Sequence, residues 1–504
     1  MPLRVWSKAR RAVCAGLVRG SRKRKPSARL TGLRAMLVVA AALFSSGTPA
    51  LAQWAQQWLP LSTGQAAGGG VALSADGSTA IVGAIAAPWV YTRTFNNLFG
   101  YIYQQGPQLL GFSNDPWYSV ALSADGNTAI VGTPQDGSSG SAWLFTRSGG
   151  TWTLLQKEVG SGGASAGQGR SVALSADGST AIVGALVGPG AWIFIRTQTS
   201  FGSIWAQQGQ KLVGSGGGAG TGPAAFQTLS VGLSADGYTA IVGNGSSIGE
   251  AWVFTRSGAT WTEQQRLVVD PTSTSSTVTT HVALSADGNT AIVGGPVDIY
   301  GNDAAWVFTR SGGTWTEQQE LALGGAFFRG VSVALSADGN TAIVGRGGDN
   351  AGAGQLWVFA RSGGAWTQQQ MLVGSEAIIN RHLGTSVALS ADGNIAIAGA
   401  REANGGTNNA WVFVQTPTVA GVNGPFVGIA GEHVTIKGTG FTGATAVTFG
   451  GAAAGNLVVL DPNTIKVTTP PHAPGTVDVA VTNSIGTGIG HGLYTYLKIV
   501  PVLP

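Results

Sequence analysis

Short apolar runs of the form Thr-Ala-Ile-Val-Gly recur along the chain, each preceded by Leu-Ser-Ala-Asp-Gly and followed by a run in which large apolar residues alternate with others. One copy shows the whole pattern. Val282–Ser285 is a short apolar stretch, Ala286–Asn289 a turn sequence, and Thr290–Gly294 an almost continuous apolar segment. A segment of that kind reads as a strand buried on both faces. In Trp306–Arg310, Trp306 and Phe308 share one face by period-two alternation. Ser311–Gly313 supplies a second turn, and Trp315–Leu323 is a polar strand suited to an exposed edge. The pattern predicts four short strands per unit. No helical period is sustained beyond the first fifty residues, so the chain is expected to be all-β.

The Leu-Ser-Ala-Asp-Gly motif occurs seven times, with its aspartate at Asp76, Asp125, Asp177, Asp236, Asp287, Asp338 and Asp392. Four strands repeated about every 50 residues predict a β-propeller of seven blades. The last unit stops after its third strand, Trp411–Val414. Its missing fourth strand is matched at the other end by Trp54-Ala55-Gln56-Gln57, which repeats Trp205-Ala206-Gln207-Gln208 of the third unit. The N-terminal strand is therefore expected to complete the seventh blade and close the ring.

The units resemble FG-GAP repeats, the blades of the integrin α-subunit head. The resemblance is carried by Gly169-Arg170-Ser171-Val172-Ala173, Leu383-Gly384-Thr385-Ser386-Val387-Ala388, Ile130-Val131-Gly132-Thr133-Pro134 and Ile292-Val293-Gly294-Gly295-Pro296, and it spans 53–415. It implies the fold and leaves activity open. Beyond the linker at Pro417, six or seven short strands with turn signals between them predict a β-sandwich over 416–500. This segment resembles an IPT/TIG domain, an immunoglobulin-like module, through Gly438-Thr439-Gly440-Phe441, Phe449-Gly450-Gly451 and the closing Leu493–Tyr496. The resemblance implies spacing, packing or adhesion.

Charge and composition narrow the function. Residues 1–52 hold 11 of the 28 basic residues and no acidic one, which leaves 17 basic against 23 acidic residues, a formal charge of −6. The basic excess thus sits in a leader and argues against a nucleic-acid partner. In that leader a basic stretch precedes the apolar run Ala35–Phe44, and Ala50-Leu51-Ala52 has the small-x-small form of a signal-peptidase site. Ten apolar residues are too few to span the roughly 30 Å of a bilayer core. Residues 1–52 are therefore expected to be a cleaved signal peptide, with no membrane span afterwards and a periplasmic, surface or extracellular destination. The single cysteine, Cys14, lies in the leader.

Candidate chemistry is sparse, and no cofactor is expected. FG-GAP resemblance implies calcium loops rich in carboxylates, but each loop here, Ser-Ala-Asp-Gly, offers one. Calcium takes six to eight oxygens, so no metal site is expected and the Asp-Gly pair reads as turn chemistry. An Asp-box glycosidase, the enzymatic alternative, lacks its aromatic residue after the motif. His281, His382, His433, His472 and His491 stand in no metal-binding spacing and read as solvated surface residues. Tryptophan recurs on third strands (Trp89, Trp143, Trp192, Trp252, Trp306, Trp357, Trp411) and on fourth strands (Trp54, Trp152, Trp205, Trp261, Trp315, Trp366). The third-strand series reads as blade packing. The fourth-strand series leaves sugar stacking open.

The turns after first and third strands are nearly uniform, whereas the loops after second and fourth strands differ from unit to unit. The two sets emerge on opposite faces of the disc. Variable loops on a rigid scaffold are where binding residues concentrate, and Arg346, Asp349, Arg381, His382, Arg401 and Glu402 are the candidates there. The expected function is an exported, non-catalytic binding or adhesion-type protein that recognises a protein partner through this face. A glycan-binding propeller using Trp261, Trp315 and Trp366 is the alternative.

Overall fold

The computed structural model describes residues 54–497 apart from 58–59, 63–69, 85–86, 97–99, 112–118, 164–165, 187–189, 201, 216–227, 245–248, 270–279, 298–302, 324–330, 348–352, 375–381, 401–408 and 425–429. The expected signal peptide lies outside the described residues. Between Val71 and Leu372 the strands form six four-stranded antiparallel sheets, each built from one repeat in chain order. The seventh sheet holds Ser386–Leu389, Ile395–Gly399 and Asn409–Gln415. Its outer strand is Trp54–Gln56, in antiparallel register Trp54↔Gln415, Ala55↔Val414 and Gln56↔Phe413, with Leu61–Ser62 continuing along the same partner. The ring is closed as expected, by the N-terminal strand.

The second strands are buried on both faces: Ala129, Ile130 and Val131 are wholly inaccessible, as are their counterparts Ala291, Ile292 and Val293. Each Asp-Gly turn is held from within. In blade five Ser285 Oγ donates to Asp287 Oδ1 at 2.5 Å and accepts from Thr290 N at 2.9 Å, while Asn289 N donates to Asp287 Oδ1 at 2.9 Å. Partial burial pushes Asp287 up, but the bonds from Ser285 and Asn289 and the charge of Arg310 outweigh it and hold its carboxyl below the usual range. Gly288 sits at φ 65°, and a Cβ there would come within 3.0 Å of Thr239 Oγ1 on the preceding blade. Glycine is thus required twice over, by conformation and by space.

Two belts hold blade to blade. On the uniform face each alanine of the turn motif donates its N–H to the alanine carbonyl of the next blade, from Ala75→Ala124 round to Ala391→Ala75, at 2.7–2.9 Å. At the rim, successive glutamines of one outer strand grip the tryptophan of the next. Trp315 N donates to Gln265 Oε1 (2.8 Å), Gln265 Nε2 to Trp315 O (2.8 Å), and the Trp315 indole to Gln264 Oε1 (2.9 Å). Gln319 and Gln318 hold Trp366 in the same way. Consecutive residues of a regular strand face opposite ways, but a register shift against the third strand, between Val253 and Phe254 in blade four, lets both glutamines face one neighbour.

Residues 418–496 fold as a sandwich. One sheet orders Thr418–Asn423, His433–Thr439, Thr464–Thr468 and Gly455–Asp461; the other orders Ala452–Ala453, Ala446–Phe449, Gly475–Thr482 and Thr487–Tyr496. Ile436, Phe441, Phe449, Ile465, Val479 and Val481 fill the space between them, with Tyr494 packed edge-on to Phe449 at 5.2 Å.

The sandwich docks on the uniform face at blade seven. Six third strands carry an arginine four residues after their tryptophan, at 93, 147, 196, 256, 310 and 361, and the seventh has Gln415 at that position. There Asp392 Oδ2 accepts from Ser484 Oγ of the sandwich at 2.9 Å, and Asn394 Nδ2 donates to Thr442 O. Ile485 packs against the core shared by blades seven and one, and Ser362 Oγ of blade six donates to Asp461 Oδ2 at 3.1 Å.

Candidate functional site

The second and outer strands end on the face away from the sandwich. Those ends form its floor, on which the loops stand. Of the six candidates, Asp349, Arg381, Arg401 and Glu402 lie outside the described residues.

Arg346 corrects its expectation. The second strand of blade six runs one residue beyond the repeat motif, Thr341–Arg346, and carries this side chain inward to 4% exposure. Its guanidinium lies 3.6 Å from Asp303 Oδ2 of the preceding blade and 4.9 Å from the Trp357 ring. Asp303 is wholly buried. An ion pair so placed anchors two blades, and removal of one partner would strand a buried charge. His382 is half-buried at φ 53°, with Nδ1 2.8 Å from the carbonyl of Gly347, the residue after Arg346. His382 therefore caps the residue that follows Arg346.

Other charges in the floor are likewise engaged. Glu250, 1% exposed, pairs with Arg266 and accepts from Asn244 Nδ2 at 3.4 Å. Asp136 takes Lys157 at 2.9 Å, Ser141 Oγ at 2.5 Å and the Trp143 indole at 3.1 Å. Partial burial pushes Asp136 up, yet those bonds hold it below the usual carboxylate range.

The aromatic alternative meets closed surfaces. Trp315 and Trp366 are 3% and 4% exposed, with Arg310 and Arg361 lying 5.3 and 5.4 Å from their ring centres. An indole covered in this way offers no platform for a sugar ring. Trp261 is half-buried and donates its indole N–H to Gln208 Oε1 at 3.1 Å. Among the described residues no group of three or more His, Cys, Asp or Glu is placed to hold a metal ion.

Two departures from the repeat were not singled out by motif reading. Position 158 is Glu in blade two where the equivalent residues are Leu267, Leu321 and Leu372, each at most 3% exposed. Glu158 is itself 8% exposed; its Oε1 has no hydrogen-bond partner, and burial pushes its carboxyl up to about 7. The second departure is His281, which stands on an inner strand where five blades carry Ser (119, 171, 230, 332, 386). It is half-buried there, and desolvation with the charge of Arg170 pushes it down to about 4. Strand-by-strand alignment of the repeats exposes both, because only there does a charged residue replace Leu or a His replace Ser.

Residues 417–496 match the IPT/TIG domain family. No curated protein matches the chain. Among solved structures, Kuenenia stuttgartiensis Hydrazine Synthase aligns at a TM-score of 0.47 and 14% identity, covering 71% of this chain and 98% of that one. The Myceliophteria thermophila Cps50 (Swd1) beta-propeller domain aligns at 0.46 and 12%, covering 71% and 98%. At such scores neither bears on function, and the propeller architecture stands on the chain's own strand pairing.

Proposed function

We propose that this chain is an exported binding protein with FG-GAP-type blades that recognises a protein partner through the variable face of its propeller and performs no catalysis. The observation that carries the reading is the asymmetry of the two faces. The uniform face is spent on structure: its turns are tied by the alanine belt and its blade-seven edge is covered by the sandwich. The opposite face carries loops that differ in every blade, mounted on a floor of buried ion pairs. That combination, a rigid base under individual loops, suits selective recognition. The sandwich, docked on the far side, serves as a spacer that presents this face outward. Export rests on the leader at 1–52, which reads as a signal peptide.

A photo-crosslinking residue tests the reading when placed at exposed Ser138 on the variable face and, in a second protein, at exposed Thr314 on the uniform side. Incubated with envelope and medium of the source cells, the Ser138 protein should yield a discrete covalent adduct and the Thr314 protein none. Adducts from Thr314 alone would overturn the assignment of the face.

A further inference from the structure

The outer strands differ in how each is tied to the one before it. Trp54, Trp205, Trp315 and Trp366 have their backbone N–H and C=O held by a glutamine of the preceding outer strand. Trp261 keeps an indole bond to Gln208, and Ser215 at the end of blade three donates its N–H and its hydroxyl to Glu263 of blade four, each at 2.7 Å. Between blades one and two these ties are missing. By register Tyr103 stands opposite Arg93 as Trp152 stands opposite Arg147, so Gly106 and Pro107 occupy the places of the two gripping glutamines. Neither carries a carboxamide. The N–H and C=O of Trp152, turned outward like those of Trp205 at the same register, therefore receive no side chain from blade one. Where blade four has Glu263, blade two has Leu154, 39% exposed, and it lies against the end of blade one: a Cβ on Gly111 would be 3.0 Å from Leu154 Cδ2. Leu110 beside it is 64% exposed. Gln104 and Gln105 of blade one are exposed as well, and their carboxamides make no hydrogen bond among the described residues.

We infer that this rim is a homodimer interface: two copies of the chain meet isologously across blades one and two, and an exposed glutamine of each copy, Gln104 or Gln105, fills the vacant grip on Trp152 of the other. Three points support a second copy as the occupant. The vacant site is a backbone N–H and C=O pair of the kind that this chain fills with a glutamine carboxamide at four other boundaries, so the complementary group is a primary amide. The rim carries both halves of that pairing, an ungripped tryptophan edge and two unused glutamines, on neighbouring outer strands. Such self-complementarity is what a two-fold interface requires. The strands are also without charge: 100–111 and 151–156 contain no Asp, Glu, Lys or Arg, and charged side chains are what commonly keeps an exposed edge from pairing. Two copies thus approach without like-charge repulsion, and Leu110 and Leu154 of each leave water together.

The test is sedimentation velocity of the purified protein over a concentration series. The chain should pass from monomer to dimer as concentration rises and go no further, because an isologous contact closes on itself. Gln104→Ala together with Gln105→Ala should weaken the dimer about tenfold or more, since both grips are lost at once. Leu154→Glu gives blade two the acid of blade four and puts like charges on both sides of the axis. It should leave a folded monomer. Leu110→Glu, at a more exposed residue outside the strands, should do the same, and decides the matter where Leu154→Glu does not fold. A monomer at every concentration overturns the inference, as does a dimer untouched by these substitutions. A dimer broken by the leucine changes but indifferent to loss of both glutamines overturns the grip and, with it, the role given to Trp152.

Discussion

Trp54 donates its backbone N–H to Gln370 Oε1 at 2.7 Å and accepts from Gln370 Nε2 at 3.0 Å, across 316 residues of chain. The same two-bond grip joins Trp205 to Gln156, Trp315 to Gln265 and Trp366 to Gln319. The N-terminal strand is therefore held on both sides, by blade six through Gln370 and by its own blade through Gln415. Gln370→Ala should lower stability by about 1–3 kcal/mol, the cost of leaving buried backbone groups without partners, measured by urea denaturation. Deleting Gln53–Leu61 removes the grip, the buried Trp54 and the outer edge of blade seven together. It should give a protein that aggregates or melts far lower, although the alanine belt between blades seven and one survives. A neutral deletion would show that the belt alone closes the ring.

Glu158 makes a second prediction. Its carboxyl is raised to about 7 in the folded chain from an ordinary value near 4.3. The unfolded chain therefore ionises first as pH rises, and folding loses stability between about pH 4.3 and 7, by up to about 4 kcal/mol. Below that window both states are protonated and the penalty vanishes. Glu158→Leu restores the residue of the other blades. It should raise the melting temperature at pH 8 and flatten the slope across this window, both visible in thermal melts at several pH values.

Calcium should have no effect. Each turn aspartate spends Oδ1 on its own serine and on the backbone two residues ahead, as Asp338 does with Ser336 and Asn340. Chelation with EDTA should leave the melting temperature unchanged, and a fall of several degrees restored by calcium would contradict the turn role of these residues.

The docking of the sandwich is testable apart from its folding. Ile485→Asp places a charge against the core of blades seven and one, and Ser484→Ala removes the bond to Asp392. The double variant should release the sandwich and speed proteolysis near Pro417, while both domains keep their own melting transitions. Removing 417–504 should leave the propeller folded.

The blade count, the exchange of the outer strand and the sandwich were legible because period-two alternation and a sevenfold motif mark them directly. The paired glutamines were not. Trp-Thr-Glu-Gln-Gln reads as a solvent-facing strand, since only the register shift seen in three dimensions turns Gln264 and Gln265 to the same neighbour. Arg346 was misplaced for a related reason: a strand one residue longer than its motif converts a loop charge into a buried one. His281 was read without its register in the ring, where its position equals that of five serines.

The alanine belt has an evolutionary corollary. Every link runs from amide to carbonyl and consults no side chain, so one unit can replace another without renegotiating the axis. Exchanging the segment 281–323 for 332–374 parts Asp303 from Arg346 but leaves every link of the belt, and should preserve a seven-membered ring of lower stability while moving a set of loops to a new azimuth. Recognition would then be recomposed by shuffling segments on an unchanged hub.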